Sequence, residues 1–204
     1  MRAHAKLFLA SSNPGKLAEY RELAASSASP LVVELALLPG FEALPAFEEN
    51  APTFAENAAG KALHYSRHCD GLIFADDSGL VVPSLGGAPG VHSARYAGPQ
   101  ATNSQRIEKL LAELRGKTGA EHAAYFVCAI ALAERGRPKV IVTDRVDGEI
   151  LEAPRGSGGF GYDPVFYFPA LGKTFAEIPA EEKSQRSHRG KAFRRLLAAL
   201  SSML

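Results

Sequence analysis

The chain has no excess of charge of either sign: Lys and Arg number 23 against 22 for Asp and Glu, a formal net charge of +1. That balance argues against holding nucleic acid or a membrane surface through bulk charge, though a local basic pocket for a small anion stays open. Cysteine is scarce. Cys69 and Cys128 have no short metal-ligand spacing, and nothing marks the chain for export. A reduced cytoplasmic protein is therefore expected in preference to a bridged one. No apolar run approaches membrane-spanning length. The start, Met1-Arg2-Ala3-His4-Ala5-Lys6, enters a strand-like run too short for a signal peptide. Repeats, low-complexity linkers and sharp compositional boundaries are also lacking, so residues 1–204 read as a single domain. At 204 residues and 46% hydrophobic content, the chain suffices for one good core, or for two lobes sharing one sheet.

What is present is an alternation of strand and helix patterns. Leu7 to Ala10 and Leu31 to Leu38 read as buried strands. Between them Leu17, Tyr20, Leu23 and Ala24 share one helical face. A loop rich in Pro and Glu spans Pro39 to Pro52. Thr53 and Glu56 then form a capping box for a helix burying Phe54, Ala58, Ala62 and Tyr65. Asn57 and Lys61 sit one turn apart on its neighbouring polar face. A loop from Pro83 to Pro99 leads to a second capping box, Thr102 and Gln105. That helix has an apolar stripe of Ile107, Leu110, Leu111 and Leu114. Ala123 to Ala133 and Val140 to Ile150 read as long strands joined by a hairpin through Arg135-Gly136-Arg137-Pro138. Phe193, Leu196, Leu197 and Leu200 mark the last helix. The class is α/β with a mixed sheet and flanking helices.

The run Phe74-Ala75-Asp76-Asp77-Ser78-Gly79-Leu80 concentrates the chemistry. Two carboxylates follow the buried-strand pattern Leu72 to Ala75, and a Ser-Gly turn is expected directly after them. Ionised carboxylates are costly at the end of a core strand unless compensated. A divalent ion is a common compensator, and Mg²⁺ prefers carboxylate oxygen.

Three further segments fit a ligand. Ser11-Ser12-Asn13-Pro14-Gly15-Lys16 lies between a strand and a helix, where free N–H groups, the helix dipole and Lys16 suit a phosphate. An ordinary capped turn is the alternative. Gly156 to Gly161 matches G-x-G-x-x-G literally. The aromatic, proline-bounded run Tyr162 to Pro169 follows instead of the helix that a dinucleotide fingerprint needs. Gly172-Lys173-Thr174 and Gly116-Lys117-Thr118 lack the first glycine of a P-loop. The glycine loop is thus read as allowing close backbone approach to a ligand, with Phe160 and Tyr162 offering rings to a flat base and Asp163 accepting hydrogen bonds. A mobile surface loop is the alternative. Lys183, His188 and Arg189 form a basic group just before the last helix. Glu181 and Glu182 nearby also fit a solvated charged stretch.

In this order, Ser11 to Lys16, Thr53-Phe54-Ala55-Glu56-Asn57, Asp76 to Leu80, Gly86-Gly87-Ala88-Pro89-Gly90, Ser93-Ala94-Arg95-Tyr96, Gly158 to Pro164, Glu182-Lys183-Ser184 and Ser187 to Gly190 resemble the non-canonical purine NTP pyrophosphatases, the inosine/xanthosine triphosphate pyrophosphatases. The resemblance runs from about Lys6 to Leu200. It implies an elongated α/β fold with two lobes around a central substrate cleft, a homodimer, and Mg²⁺-dependent cleavage of ITP, dITP or XTP between the α and β phosphates. It implies Asp77 as proton acceptor and metal ligand, with Glu49 as a further ligand. Ser11, Ser12, Asn13, Pro14, Gly15, Lys16, Lys61, Ser78, Phe160, Gly161, Tyr162, Asp163, Lys183, His188 and Arg189 would contact the nucleotide. Ser12 departs from the glycine of many members, and Pro14 removes one N–H donor from the turn. Asp76 is a second ligand or a structural cap.

On this reading Asp77, or a water it orients, attacks the α-phosphorus, and Lys16, Lys61 and Lys183 offset phosphate charge. Arg189, a donor-only group, would favour a 6-keto purine over adenine. The related septum-associated nucleotide pyrophosphatases are a competing reading, against which the His188-Arg189 pair and the Gly158 to Pro164 segment argue. A silent nucleotide-binding protein is another, against which the intact Asp76-Asp77 pair argues.

Overall fold

A computed structural model describes residues 4–204, apart from the side chain of Pro14. Met1, Arg2 and Ala3 of the expected strand-like start lie outside the described residues. The strands are β1 (His4–Leu9), β2 (Val32–Leu37), β3 (Leu72–Val81), β4 (Ala123–Glu134), β5 (Arg137–Ile150), β6 (Phe166–Phe168) and β7 (Lys173–Thr174). The α-helices are α1 (Pro14–Ala25), α2 (Phe54–Tyr65), α3 (Asn103–Glu113), α4 (Ala180–Arg186) and α5 (His188–Ser201). The strands form a seven-stranded mixed sheet in the order β2-β1-β3-β4-β5-β6-β7. Both β2 and β3 run parallel to β1, so each needs a crossover, and α1 and α2 supply them. β6 is antiparallel to β5 and to β7.

The chain packs as two compact units. The first comprises the residues up to Asp77, Cys128–Asp144 and Arg189–Leu204. Its strands bury both faces, because side chains alternate with a period of two. Leu7, Leu9, Phe74, Cys128, Ile130 and Leu132 face α1 and α5, where they meet Tyr20, Leu23, Phe193 and Leu197. Ala10, Ile73, Ala75, Ala129, Ala131 and Ala133 face the other way, toward Ala58, Ala62 and Tyr65 of α2. The alanine-rich face lets α2 lie close to the sheet.

The second unit comprises Ser78–Val127 and Arg145–His188. Its core joins Leu80 and Val82 to the α3 stripe Ile107, Leu110 and Leu114, and to Phe126, Phe166 and Phe175. The capping box of α3 forms as the sequence indicates, whereas at α2 Thr53 accepts from the Glu56 N–H and the Glu56 carboxylate accepts from the Thr53 hydroxyl, which is half of the expected box.

Four local expectations are corrected. The Asp76-Asp77-Ser78-Gly79 segment lies inside the ten-residue β3, and no turn follows the aspartates. Cations and an amide donor reach the two carboxylates from the faces of the strand, so the chain keeps its extended course. The hairpin is tighter than expected. Arg135 (φ 47°) and Gly136 (φ 72°) make a two-residue left-handed turn of the kind that matches strand twist, and Pro138 already belongs to β5. The basic group does not precede one helix: Lys183 is on α4, Ser187 breaks the chain with extended backbone, and His188 and Arg189 open α5. Asn57, expected on a polar face beside the buried one, is itself fully buried.

Candidate active site

The turn after β1 is organised by Asn13. It caps α1, its Oδ1 accepting from the backbone N–H of Gly15 at 2.8 Å and of Lys16 at 3.3 Å. Ser11 Oγ accepts from the N–H of Asn13 at 3.0 Å. Two of the N–H donors counted toward a phosphate are therefore engaged by the cap. Ser12, Asn13 and Gly15 are exposed, and Pro14 takes the first helical position, where a missing N–H costs least.

Lys16 reaches from this turn to Asp76, its Nζ 2.9 Å from Oδ1. Asp76 is 2% exposed. Its other oxygen lies 3.6 Å from Arg189 Nε, and Arg189 Nη1 donates to both oxygens of Glu19 at 3.0 and 2.9 Å. Burial alone would raise the Asp76 carboxyl, but Lys16, Arg189 and Lys61 outweigh it and hold the group well below the usual carboxylate range. Arg189 is likewise buried, and Glu19, Tyr20 and Asp76 keep it charged. Asp76 is thus the hub of a Lys16–Asp76–Arg189–Glu19 chain beneath the turn.

Asp77 serves the opposite face of β3. Its Oδ2 accepts from Asn57 Nδ2 at 3.0 Å. Burial pushes its carboxyl up to about 6; the Asn57 hydrogen bond pulls down, Glu49 and Asp76 push up, and Lys61 pulls down. Lys61 Nζ lies 2.6 Å from Glu49 Oε1. Burial would lower the Lys61 ammonium, yet Glu49 raises it on balance. Asp77, Glu49, Lys61 and Asn57 therefore form one group around α2.

Among the described residues no three His, Cys, Asp or Glu side chains gather as a ready-made metal cage. Mg²⁺ needs less from protein, because one or two carboxylates plus substrate phosphates suffice. Asp77 and Glu49 fit that donor set: Glu49 raises the cost of charge on Asp77, and an ammonium already serves Glu49 as counter-ion.

The second unit holds the other group. Asp163 is buried, and its Oδ2 accepts from the Phe160 N–H at 2.8 Å and from Lys183 Nζ at 2.5 Å. Gly159 (φ +70°) must be glycine here, since a Cβ would strike that carboxylate at 2.1 Å. A Cβ on Gly156 would strike the Ala176 backbone at 2.7 Å, so these glycines answer to protein neighbours. The Phe160 ring is 54% exposed, with Lys183 Nζ 5.0 Å from its centroid. The Tyr162 ring is buried in the core and its hydroxyl donates to the Ser93 carbonyl at 2.9 Å. Of the two expected rings, Phe160 is the one presented to solvent and Tyr162 anchors the loop. Gly161 (φ +63°) gives the turn between them. His188 is buried and stacks on Phe126, centroids 4.8 Å apart at 13°. Ser78, half-buried, follows Asp77 on β3.

The structure thus brings together Lys16 with Asp76 and Arg189, Glu49 with Lys61 and Asp77, and Phe160 with Asp163 and Lys183. Sequence reasoning missed two participants, Asn57 and Glu19. Asn57 was legible in one respect: it extends the buried spacing of Ala58, Ala62 and Tyr65 at the next helical position. Glu19 had no local signal.

The model of the Ham1 family matches residues 7–199. A dITP/XTP pyrophosphatase of Geobacillus kaustophilus is 50% identical over 94% of this chain and 92% of its own. One from Gloeobacter violaceus is also 50% identical, over 96% and 94%. Among solved structures, a HAM1 protein from Coxiella burnetii superposes with a TM-score of 0.86 at 40% identity, covering 97% of this chain and 99% of that one. The Ham1 protein of Staphylococcus aureus gives 0.86 at 35% identity, over 98% and 100%.

Proposed function

Because the chain belongs to the Ham1 family, we propose that it hydrolyses non-canonical purine nucleoside triphosphates, ITP, dITP and XTP, to the monophosphate and pyrophosphate, removing them from the nucleotide pool. Relatives of 50% identity over nearly the full chain, named for dITP and XTP, support the substrate class. The observation that carries the chemistry is Asp77, a buried carboxyl pushed up to about 6 and held on one oxygen by Asn57. A carboxyl of that strength is ionised at neutral pH and can accept a proton there, and a bound Mg²⁺ would hold it more firmly as the anion.

Phosphoryl transfer depends on alignment and charge neutralisation more than on covalent help. Asp77 orients the attacking water and accepts its proton at Oδ1. Lys16 and Lys61 wait on carboxylates and exchange them for phosphate oxygens when the triphosphate binds. Mg²⁺, held by Asp77 and Glu49 with the phosphates, would neutralise charge on the triphosphate and the leaving pyrophosphate.

The Phe160 ring supplies a stacking face for the base. Lys183 donates only, which suits the 6-keto oxygen of hypoxanthine and xanthine and leaves a donor unpaired against adenine. Arg189 has the same chemistry but reaches a base only by exchanging Glu19 or Asp76. The homodimer rests on the family resemblance. Two free thiols, Cys69 and Cys128, support a reducing, cytoplasmic location.

The test is pyrophosphate release from ITP, dITP, XTP, ATP, GTP and UTP, with and without Mg²⁺. Release from the first three, only with the metal, is expected. Preference for a pyrimidine would move the protein to the septum-associated class. No release from any would make it a binding protein.

A further inference from the structure

Asn57 lies in the first turn of α2, fully buried, in a helix position where asparagine is a poor choice. Its carboxamide makes three hydrogen bonds. Oδ1 accepts from the Ala51 N–H at 2.9 Å, and Nδ2 donates to the Ala51 carbonyl at 3.4 Å and to Asp77 Oδ2 at 3.0 Å. The two ends of an asparagine amide have nearly the same shape, so their assignment rests on the partners. Ala51 N–H can only donate, so it must face the amide oxygen. The NH₂ group must then face Asp77, whose Oδ2 can only accept.

We infer that Asn57 is a positioning residue: it decides which oxygen of Asp77 does the work, and it ties that choice to the segment that holds Glu49. The inference rests on the reading of Asp77 as the base. Oδ2 is committed to Asn57, which leaves Oδ1 as the oxygen for a water or a ligand. Ala51 is two residues beyond Glu49, and Lys61, one turn after Asn57, holds the Glu49 carboxylate at 2.6 Å. The grip continues along the same stripe of α2. His64 Nε2 is 2.7 Å from the Pro45 carbonyl, and the Tyr65 hydroxyl accepts from the Phe47 N–H at 3.2 Å. Positions 57, 61, 64 and 65 share one helical face, so a single face sets both carboxylates. A buried amide needs all these bonds to be tolerated, and no apolar residue of its size provides the donor toward Asp77.

The test uses Asn57→Asp, Asn57→Ala and Asp77→Asn in the full chain. Ionised aspartate keeps an oxygen for the Ala51 N–H but offers Asp77 no donor, and a proton shared between the two carboxyls would take Asp77 out of use as a base, so either form loses the alignment. With ITP and Mg²⁺, kcat of Asn57→Asp should fall about 100-fold while KM stays within about threefold, the split expected when alignment and not binding is lost. Its melting temperature and the resistance of segment 39–52 to limited proteolysis should stay near wild type. Wild-type kcat in Asn57→Asp would overturn the inference. So would a raised KM at unchanged kcat, or a loss of kcat that merely tracks melting and cleavage of the segment. If Asn57→Asp is poorly folded, Asn57→Ala is read by the same split on its folded fraction; failure of both to fold makes Asn57 a structural residue and sinks the proposal. An active Asp77→Asn would instead overturn the reading of Asp77, whereas an inactive Asp77→Asn beside an active Asn57→Asp removes only the role of Asn57.

Discussion

Asp76 and Asp77 are adjacent in sequence and face opposite sides of β3. Asp76 meets Lys16 of α1 and Arg189 of α5, and Asp77 meets Asn57 of α2. The period of two along a strand does this without any special device. It gives one carboxylate a surplus of cations and the other a deficit.

Opposite stability effects follow. Asp77 is ionised at neutral pH against a burial cost, its carboxyl held up at about 6. Asp77→Asn should therefore melt at or above the wild-type temperature while pyrophosphate release drops about 10²- to 10⁴-fold, the usual weight of a general base. Asp76→Asn removes the anion between the buried Arg189 and the part-buried Lys16 and should cost about 3–5 kcal/mol. Calorimetric melting of both variants checks this; a destabilised Asp77→Asn with an unaffected Asp76→Asn would reverse the assignment.

Arg189→Ala should destabilise on the same scale, about 3–5 kcal/mol, because it leaves the buried Asp76 with Lys16 as its close cation and takes the guanidinium from Glu19. Chemical denaturation reads the loss directly. A variant as stable as wild type would show that the Lys16–Asp76–Arg189–Glu19 chain contributes little to the fold.

Phe160 presents its ring to solvent beside Lys183. Phe160→Ala should weaken ITP binding by about 1–3 kcal/mol, the range of one base–aromatic stack. The loss should appear in KM, and Phe160→Tyr should restore most of it. An unchanged KM for the alanine variant removes the ring from base recognition.

The thiols differ in the same measurable way. Burial, with Asp76 adding to it, pushes the Cys128 thiol up to about 12. An unfolded thiol titrates near pH 8.5. The folded state keeps this proton longer, so the stabilisation is complete below the unfolded value and fades as pH rises toward the folded one. Cys128→Ala should flatten that alkaline decline. At pH 8 a thiol reagent should label half-buried Cys69 in the native protein and Cys128 only after unfolding. Labelling of both thiols in the native state would contradict the burial.

Much of the fold was legible because it is local. The apolar periods mark β1, α1, α2, α3, β4, β5 and α5, and the Thr53 and Thr102 caps stand where the sequence puts them. The errors were also local rules applied where they lose. Ser78-Gly79 is a turn signal by composition, yet those residues lie within β3, because partners on both faces hold the strand extended past the aspartates. Asn57 is polar and reads as part of the polar face beside the buried one, yet a buried carboxylate and a loop backbone are its partners.

By itself the sequence determined the inventory: which carboxylates, lysines and exposed ring exist, which elements bear them, and the family to which their order belongs. Tertiary structure alone decided the pairing. Arg189 and Glu19 stand 170 positions apart, and Lys16 and Asp76 stand 60 apart. Hydrogen bonds and charge pairs act over a few ångströms of space and leave no periodic trace along the chain. Which aspartate meets two cations and which meets an amide donor, as the proposed base does, was therefore decided only when β3 was set between α1 and α5 on one face and α2 on the other.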